Sequence, residues 1–389
     1  MVITFACDVL GEENNGTTIA TMNVARAMAE KGHEVRIICP DAFRKGQPGV
    51  YFVPPVNFGI FNGYVAHNGV VLSSTKDKET IRKAVEGSDI VHFNFGGFLS
   101  SYTADLCKQL NIPTTASMHT QAENFTNHVG LQYSRFANHW WYKHLYRILF
   151  RKVDAIHYPS EFIHKEFERQ CKFTSNAYVI SNGIQSDFKR VEVQRPKELE
   201  GKVVVAFTAR YSREKKHVDL FRAMKYSKHR DKIVLLLPGA GPLEKKFRKK
   251  YSKWCANPPI LGFHNHDEMV QLLNCVDIYC HVGRVDIEPI SCLEAISIGI
   301  PPILTDSKFS SVSSFAIDPE LNVYHAGDAK DLARHIDYFI DHPDVAKENG
   351  AKYLGYAERF DFQTSMDKME QMYQEVIAKH RQATPDKSL

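Results

Sequence analysis

The sequence lacks the features that would place the chain across a membrane or on nucleic acid. No apolar run approaches the ~20 residues of a membrane-spanning helix. The start, Met1 to Cys7, has no basic stretch followed by a signal-length apolar core. The net charge of +4 is too small to attract nucleic acid through bulk charge. We therefore predict a cytoplasmic protein that binds no nucleic acid and at most lies on the inner face of the cell membrane.

The eight cysteines form no metal or disulfide pattern. The sequence has no Cys-x-x-Cys pair, no Cys/His set at zinc spacing and no Asp-x-Asp metal motif. Cys7, Cys39 and Cys280 lie inside apolar runs, which predicts small buried hydrophobic residues in a reducing compartment. The sequence therefore requires no cofactor, and no motif implies a divalent metal.

The length of the chain predicts two domains. A chain of 389 residues with 43% hydrophobic and 24% charged residues is globular but too long for one ordinary core. A polar stretch at 187–201 separates two series of strands and helices and is a candidate linker. We predict an N-terminal domain over 1–185, a second domain over 186–365, and a C-terminal helix and tail over 366–389.

Both domains have the pattern of an α/β fold with parallel strands. In the first, a strand at 2–7, a helix that begins near Gly16 and a strand at 34–39 form a right-handed βαβ unit. Short apolar runs predict the further strands: 90–97, 113–120, 155–158, 178–180, 203–208, 233–237, 259–261, 276–280 and 302–304. Because ligands bind at the carboxyl ends of such strands, the loops that follow them are the candidate sites.

Two carboxylates lie around the start of one helix in the second domain. Asp286 follows the strand that ends near His281, and Glu294 falls on an apolar segment, where a charge is unfavourable unless something satisfies it. Helix capping is one explanation of such acids. The other is a carboxylate that binds the hydroxyl groups of a sugar in a cleft.

Two further loops of this domain carry candidate donor-binding residues. Arg210 and Lys215 lie between a strand and a helix, where two cations suit a diphosphate, although the stretch could also be a solvated charge run. Gly239 lies in a tight Pro-Gly-Ala-Gly-Pro turn, through which a backbone could approach a ligand. In the first domain, the loop at Gly16 could bind an anion or be a plain turn.

Two histidines and a basic segment stand out in the first domain. His119 ends a strand and is a cleft candidate, whereas His92 is divided evenly between a cleft and a core residue. Residues 136–152 carry four basic residues, no acid, and both Trp140 and Trp141. Such a helix, with Arg147 on its basic side, fits an anionic bilayer, although aromatic residues at this spacing more often pack in a core.

In this order, the motifs resemble those of the retaining glycosyltransferases of family four. The stretch Asp286-x7-Glu294 resembles the Glu-x7-Glu motif of that family, with an aspartate as its first acid and Glu288-Pro289 in place of the usual Phe-Gly. Arg210 and Lys215 match the type and spacing of its cationic pair, and Asn182-Gly183 resembles the Asn-Gly at its domain junction. The resemblance spans nearly the whole chain.

The resemblance implies an α/β fold of GT-B type: two Rossmann-like domains facing each other across a cleft, with the C-terminal helix crossing back. It implies that a sugar nucleotide transfers its sugar to an acceptor hydroxyl with retention, the diphosphate being neutralised by Arg210 and Lys215. Glu294 would hold the ribose, Asp286 or Glu288 the hydroxyls of the donor sugar, and His119 the sugar near the reacting centre. Front-face attack is favoured over a covalent intermediate.

The sequence allows two chemical classes of acceptor. The closest resemblance is to bacterial glucosyltransferases that act on diacylglycerol or its glycosylated form, which implies a membrane lipid as acceptor and UDP-glucose as donor, with UDP-galactose, UDP-N-acetylhexosamine and GDP-mannose as the alternatives. The aromatic stretch at 51–64 and the Trp140/Trp141 segment fit such an acceptor at an anionic membrane. A lipid-linked saccharide for capsule or wall polymer is the alternative. A non-catalytic sugar-nucleotide-binding protein and an epimerase of the same fold are the competing hypotheses.

Overall fold

The computed structural model describes residues 1–10, 16–57, 59, 71–126 and 130–383. The chain forms two compact units. The first consists of Met1–Ser181 together with the chain from Gln363 onward, and the second is Asn182–Phe362. The predicted domain boundaries, at 185/186 and 365/366, lie a few residues beyond these divisions.

The first unit alternates strands and helices. Its strands are β1 (Val2–Ala6), β2 (Glu34–Cys39), β3 (Val50–Phe52), β4 (Ile90–Phe93), β5 (Thr114–Ser117), β6 (Ala155–Tyr158) and β7 (Ala177–Val179). Its helices are α1 (Gly16–Glu30), α2 (Lys78–Val85), α3 (Phe98–Leu110), α4 (Ala122–Thr126), α5 (Arg135–Ile148), α6 (Glu161–Cys171) and, at the end of the chain, the helix Phe362–Ala383.

The second unit repeats this plan. Its strands are β8 (Val203–Ala206), β9 (Ile233–Pro238), β10 (Ile260–Gly262), β11 (Ile278–His281), β12 (Pro302–Thr305) and β13 (Val323–Tyr324). Its helices are α7 (His217–Ala223), α8 (Glu244–Lys246), α9 (His266–Leu273), α10 (Ile290–Ser297), α11 (Pro319–Asn322), α12 (Ala329–Asp341) and α13 (Pro343–Ala357); the C-terminal helix Phe362–Ala383 is therefore α14.

Each unit is built on one parallel sheet. The strand orders are β3-β2-β1-β4-β5-β6-β7 and β10-β9-β8-β11-β12-β13, and the paired strands run parallel. The inner strands β4, β5, β6, β9, β11 and β12 are buried along their whole length; most of their residues are apolar, whereas β5 is mainly Thr and Ser. The structure thus confirms the predicted pair of α/β domains.

The strand order reverses at one place in each sheet, and this reversal positions the candidate site. In the second unit β8 and β11 are neighbours, with Ile278 beside Val205 and Tyr279 beside Ala206. The chain continues from β8 towards β9 on one side and from β11 towards β12 on the other. The loops after β8 and β11 therefore diverge at the switch point, where open α/β sheets bind their ligands.

Helix α14 returns the chain to the first unit, as the resemblance implied. One stripe of the helix is buried: Met366, Met369, Met372, Tyr373, Val376 and Ile377. Polar pairs flank the stripe, with Lys31 Nζ 3.0 Å from Glu370 and the Tyr178 hydroxyl donating to Glu375 at 2.7 Å. The apolar stripe at helical spacing explains why this segment is a packed helix.

Several smaller predictions are resolved by the fold. Cys7, Cys39 and Cys280 are buried, and all eight cysteines are free thiols. Of the aromatic stretch at 51–64, Tyr51 and Phe52 belong to the edge strand β3, whereas Phe58, Phe61 and Tyr64 lie outside the described residues. No helix in the described ranges is both long and apolar enough to span a bilayer.

Candidate active site

Lys215 and Asp286 meet at the switch point of the second unit. Lys215 lies on the loop between β8 and α7, and Asp286 lies on the loop between β11 and α10. The Lys215 ammonium forms an ion pair with Asp286 Oδ1. The other oxygen, Oδ2, lies 3.0 Å from Nε2 of His281, the last residue of β11. Two loops far apart in sequence are thereby joined by one carboxylate.

The environment of Asp286 keeps this carboxylate ionised. Burial alone would raise its pKa, but the Lys215 ammonium and the hydrogen bond from His281 lower the pKa of Asp286 to about 2. Burial also lowers the pKa of His281, against the opposing effect of Asp286. The neutral His281 ring therefore donates its Nε2 hydrogen to Asp286.

Arg210 lies on the same loop as Lys215 but makes different contacts. Its side chain is exposed, and no residue in the described ranges forms an ion pair or hydrogen bond with its guanidinium. Such an exposed cation beside a strand end is available to an anionic ligand. The structure thus places both cations of the predicted pair at one end of the sheet, one of them already paired.

Gly239 packs closely against the loop that carries Arg210 and Lys215. It follows β9, and a Cβ at this position would lie 2.2 Å from the carbonyl oxygen of Ala209. At the next glycine, Gly241, a Cβ would lie 2.8 Å from the carbonyl oxygen of Tyr211, whose N–H donates to the Ala240 carbonyl at 2.9 Å. In this structure the glycine is required by the close backbone of the Arg210 loop, whereas the predicted approach to a ligand stays a prediction.

Glu288 is bound by the segment at which the second unit begins. Its Oε2 accepts hydrogen bonds from the backbone N–H of Asn182 at 2.8 Å and from the Asn182 side chain at 2.7 Å. The Asn-Gly motif and the acidic motif, which the sequence showed as separate signals, therefore contact each other. Both candidates for the sugar-binding acid, Asp286 and Glu288, have protein partners in this structure.

Glu294 differs from these two acids. It lies on α10, half-buried, and no hydrogen bond or ion pair to its carboxylate is found within the described part of the chain. Burial raises the pKa of Glu294 to about 7. Of the two smaller effects, His266 lowers this pKa and Asp187 raises it. The start of α10 is fixed by Ser291, whose hydroxyl donates to the Thr208 carbonyl after β8 at 3.0 Å. A half-buried carboxylate without a described partner suits a ligand that brings its own hydroxyl donors.

His119 lies in the first unit, just after β5. It is half-buried, and its ring lies edge-on to that of His157, with 5.7 Å between the centroids. Burial, with a smaller contribution from His157, lowers the pKa of His119 to about 3. The imidazole is therefore neutral at physiological pH, and it can donate or accept a hydrogen bond without carrying charge.

His92 is a core residue, which resolves the even division left by the sequence. It is buried on β4, and its ring nitrogens lie 2.8 Å from Thr115 Oγ1 and 2.8 Å from Ser117 Oγ. Ser117 is 2.7 Å from Nδ1 of His157, whose Nε2 donates to the Ile180 carbonyl at 2.7 Å. Because that carbonyl can only accept, the hydrogen bonds run in one direction through two neutral histidines.

Gly16 is the first residue of α1, in the first unit. It is exposed, and a Cβ at this position would meet no atom within 4 Å. No described neighbour therefore requires a glycine here. The preceding residues, 11–15, on which the predicted glycine loop depends, lie outside the described residues.

Helix α5 divides its aromatic residues between the core and the surface. Trp141 is half-buried and stacks on Phe125, with ring centroids 4.4 Å apart. Trp140 is 55% exposed and Phe136 is 82% exposed. Arg147 is also exposed, and its spacing from both places the three residues on one face of the helix. The helix thus has a core-facing side, with Tyr142 and Leu145 buried, and an exposed side with aromatic and basic residues, so both predicted roles of this segment stay open.

The two parallel-sheet units define a fold class, the α/β fold of GT-B type. Two solved structures share the fold of almost the whole chain. Anabaena HepE, in complex with UDP and glucose, is 14% identical, with coverage of 96% of this chain and 100% of HepE and a TM-score of 0.72. WaaG, a glycosyltransferase involved in lipopolysaccharide biosynthesis, is 15% identical, with coverage of 95% and 99% and a TM-score of 0.70.

The chain belongs to the glycosyltransferases of family 4. It matches Glycosyltransferase Family 4 over residues 14–188 and Glycosyl transferases group 1 over residues 189–357. It is also similar to the alpha-monoglucosyldiacylglycerol synthase of Acholeplasma laidlawii, at 22% identity over 354 residues, which covers 85% of this chain and 86% of that protein. The sequence-based recognition of the family and of an enzyme is thereby confirmed.

The sequence prediction missed one residue of the site. His281 was treated only as the end of an apolar strand, although the same criterion, a histidine at a strand end, had singled out His119. The signal that could have found it is its position five residues before Asp286 on the strand at the switch point. Among the predicted residues, the structure brings Lys215 and Asp286 into contact, whereas Gly16, His119 and the α5 residues belong to the other unit.

Proposed function

We propose that this glycosyltransferase transfers a hexose, glucose in the first instance, from a UDP-sugar to a membrane lipid or a lipid-linked saccharide, with retention at the anomeric carbon. One observation carries the donor half of this proposal. At the switch point of the second unit, an exposed guanidinium (Arg210), an ammonium (Lys215) and a carboxylate without a described partner (Glu294) lie on elements that follow two adjacent strands. Their charges complement a diphosphate and a sugar hydroxyl pair.

The chemistry of the donor assigns a task to each of these groups. Negative charge develops on the departing diphosphate, and fixed cations stabilise it most where water is excluded. Arg210, exposed and without a described partner, and Lys215, which Asp286 already holds, are the cations that would stabilise this charge, and we propose that transfer needs no divalent metal. Glu294 accepts hydrogen bonds from the ribose hydroxyls. A neutral His119 contacts the donor sugar near the reacting centre.

Front-face attack is the mechanism that we propose for retention. Asp286 is held by Lys215 and His281, and Glu288 by Asn182, so neither carboxylate is free to act as a nucleophile in this structure. The leaving phosphate then takes the proton of the acceptor hydroxyl. Proton NMR of the first-formed product tests the stereochemistry: an α-linked product from an α-linked donor supports retention, and a β-linked product contradicts it.

The acceptor half of the proposal depends on helix α5 and on the relative from Acholeplasma laidlawii, whose name describes a glucosyldiacylglycerol synthase. Exposed Phe136 and Trp140 are apolar groups that water solvates poorly, and Arg147 on the same face adds a positive charge. Aromatic and basic residues on one helix face suit an anionic membrane surface. A lipid acceptor would be presented at such a surface.

The donor assignment is tested by calorimetry and by product analysis. UDP should bind to the wild-type protein and bind more weakly, on the order of 10-fold, to Lys215→Ala and Glu294→Ala. A screen of UDP-sugars with diacylglycerol, monoglucosyldiacylglycerol and lipid-linked saccharides, read by mass spectrometry, identifies the product. Transfer that is unchanged in both variants would remove these residues from the site. Transfer that is abolished by EDTA and restored by a divalent cation would contradict the metal-free mechanism.

Membrane binding is tested by flotation with anionic and zwitterionic vesicles at low salt. We expect the wild-type protein to float with the anionic vesicles and Trp140→Ala and Arg147→Ala to remain partly at the bottom. Phe43→Ala and Lys165→Ala are the matched controls, because both residues are exposed in the same unit but lie outside α5. Equal flotation of all four variants would contradict the role of this helix face.

A further inference from the structure

His281 ends β11 at the switch point, and its ring is bonded to only one described group. The side chain is 1% exposed, and its Nε2 lies 3.0 Å from Asp286 Oδ2. The other ring nitrogen, Nδ1, is buried without a partner in the described ranges. The ring packs edge-on against Phe207, with 5.1 Å between the centroids. Buried polar groups are usually hydrogen-bonded, so a buried imidazole that uses only one of its two nitrogens calls for an explanation.

Asp286 connects His281 to Lys215, one of the two cations of the proposed donor site. Asp286 uses one oxygen for His281 and the other for Lys215, so three side chains form a chain from the core strand to the cationic loop. The Lys215 ammonium stands on a flexible four-carbon stem that has many rotamers. A buried carboxylate that is itself fixed limits this freedom before any ligand binds.

A glycine at position 283 leaves space for the side chains of His281, Asp286 and Lys215. Gly283 lies between His281 and Asp286 in sequence, and a Cβ there would lie 2.7 Å from Asp286 Oδ2, 2.9 Å from His281 Nε2 and 3.5 Å from Lys215 Cδ. All three members therefore pass the same point of the loop. A side chain at position 283 would displace the contact between the histidine and the aspartate.

We propose that His281 is a positioning residue that, through Asp286, holds the Lys215 ammonium where the diphosphate of the donor binds. This inference rests on the proposed function, and it gives Asp286 the task of orienting a cation instead of binding a sugar hydroxyl.

The first test compares His281→Phe with His281→Gln. Phenylalanine fills the space without a donor, whereas the glutamine amide nitrogen lies where Nε2 of the histidine lies and can donate to Asp286. We expect His281→Phe to weaken UDP binding and raise the donor KM about 10-fold, the effect typical of residues that orient a ligand-binding group. His281→Gln should recover most of this loss. Calorimetry with UDP and steady-state kinetics with the donor measure both quantities.

A matched control separates positioning from folding. His335 is a buried histidine in the same unit, bonded through Nδ1 to the Leu321 carbonyl at 3.0 Å. His335→Phe should alter the melting temperature at least as much as His281→Phe but leave UDP affinity unchanged. If His281→Phe keeps wild-type UDP affinity and donor KM, or if His335→Phe weakens UDP binding equally, the inference is overturned.

A double-mutant cycle tests whether His281 acts through Asp286. In an Asp286→Asn background, His281→Phe should have little further effect on UDP affinity, because the relay is already broken. Independent effects that add fully would contradict the relay. The outcome for Lys215→Ala distinguishes the two proposals. If that variant binds UDP normally, the proposed donor site fails, whereas a strong loss in Lys215→Ala with none in His281→Phe overturns only the present inference.

Discussion

At the scale of single residues, three carboxylates close in sequence have three different environments. Asp286 is ion-paired and its pKa is lowered to about 2, Glu288 accepts two hydrogen bonds from Asn182, and Glu294 has a pKa raised to about 7 and no described partner. The first two are satisfied by the protein. The third is an unfavourable charge in the free protein, which is the property expected of a ligand-binding group.

The raised pKa of Glu294 leads to a prediction about stability. Above about pH 7 the folded protein carries an unsatisfied charge, whereas the unfolded chain ionises the same group near its ordinary pKa of 4.5. The folded state therefore binds the extra proton, and stability falls as pH rises from 4.5 through 7. Glu294→Gln should stabilise the protein at pH 8 by about 1–2 kcal/mol, with a smaller gain near pH 5.

Urea unfolding at pH 8 and pH 5 measures this difference. Glu198→Gln is the control, because Glu198 is exposed in the same unit. A gain that is equal at the two pH values, or equal in the control, would contradict the assigned cause. The same Glu294→Gln variant should bind UDP more weakly, so that stability and ligand binding change in opposite directions.

The exposed guanidinium of Arg210 gives a prediction about which part of the donor it binds. Arg210→Ala should weaken UDP binding by about 10–100-fold, the range expected for a lost charge-assisted hydrogen bond. Binding of uridine, which has no phosphate, should be unchanged. Calorimetry with both ligands tests this, and Arg213→Ala, an exposed arginine on the same loop, is the control. An equal loss for uridine would assign Arg210 to the nucleoside.

The sequence reveals those site residues that are marked by a pattern in their immediate sequence neighbours. Glu294 was detectable because a charge interrupts an apolar helix, and Arg210 and Lys215 because two cations follow a strand. The contacts of Lys215 with Asp286 and of Glu288 with Asn182 were not detectable, because 71 and 106 residues separate the partners. Only the pairing of strands brings them together.

At the scale of elements, strand prediction succeeded where burial is complete. The fully buried β9 and β11 have continuous apolar sequences and were predicted in place. β13 was not predicted as a strand, and it has two residues at the edge of its sheet. An element of two residues carries no periodicity, and its conformation is set by the neighbouring strand.

The start of helix α3 is stabilised from another element. Its N-cap residue, Gly97, has no side chain, and Asp8 after β1 accepts instead from the backbone N–H groups of Gly97, Leu99 and Ser100 at 2.8–3.2 Å. Asp8 is buried, and burial raises its pKa to about 6 in spite of these donors. One carboxylate thus joins the first strand to the third helix.

Removing this cap should destabilise the first unit. Asp8→Ala leaves buried N–H groups without an acceptor, and we expect a loss of about 2–4 kcal/mol in the free energy of unfolding. Asp77→Ala is the control, since Asp77 caps α2 by accepting from Thr80 at the surface and should contribute only about 1 kcal/mol. Urea denaturation followed by circular dichroism compares them. Equal losses would mean that Asp8 acts as an ordinary cap.

At the scale of the whole molecule, the first unit is completed by the last helix of the chain. The buried stripe of α14 should contribute more to the free energy of unfolding than the ion pairs at its edge. Met372 is fully buried, so Met372→Ala should destabilise the protein by about 2–5 kcal/mol. Lys31→Ala, which breaks partly exposed ion pairs to Asp367 and Glu370, should change stability by less than about 1 kcal/mol. Thermal unfolding of both variants tests this order.

The return of α14 also means that the second unit is inserted within the sequence of the first. The two ends of the insert are held side by side: the Ile184 N–H donates to the Phe360 carbonyl at 2.7 Å, and the Phe362 N–H donates to the Ile184 carbonyl at 3.1 Å. An insert with adjacent ends can be exchanged for another of its kind without stretching its host. The second unit could therefore be exchanged as a cassette, cut at Asn182 and Phe362, while both segments of the first unit stay in place.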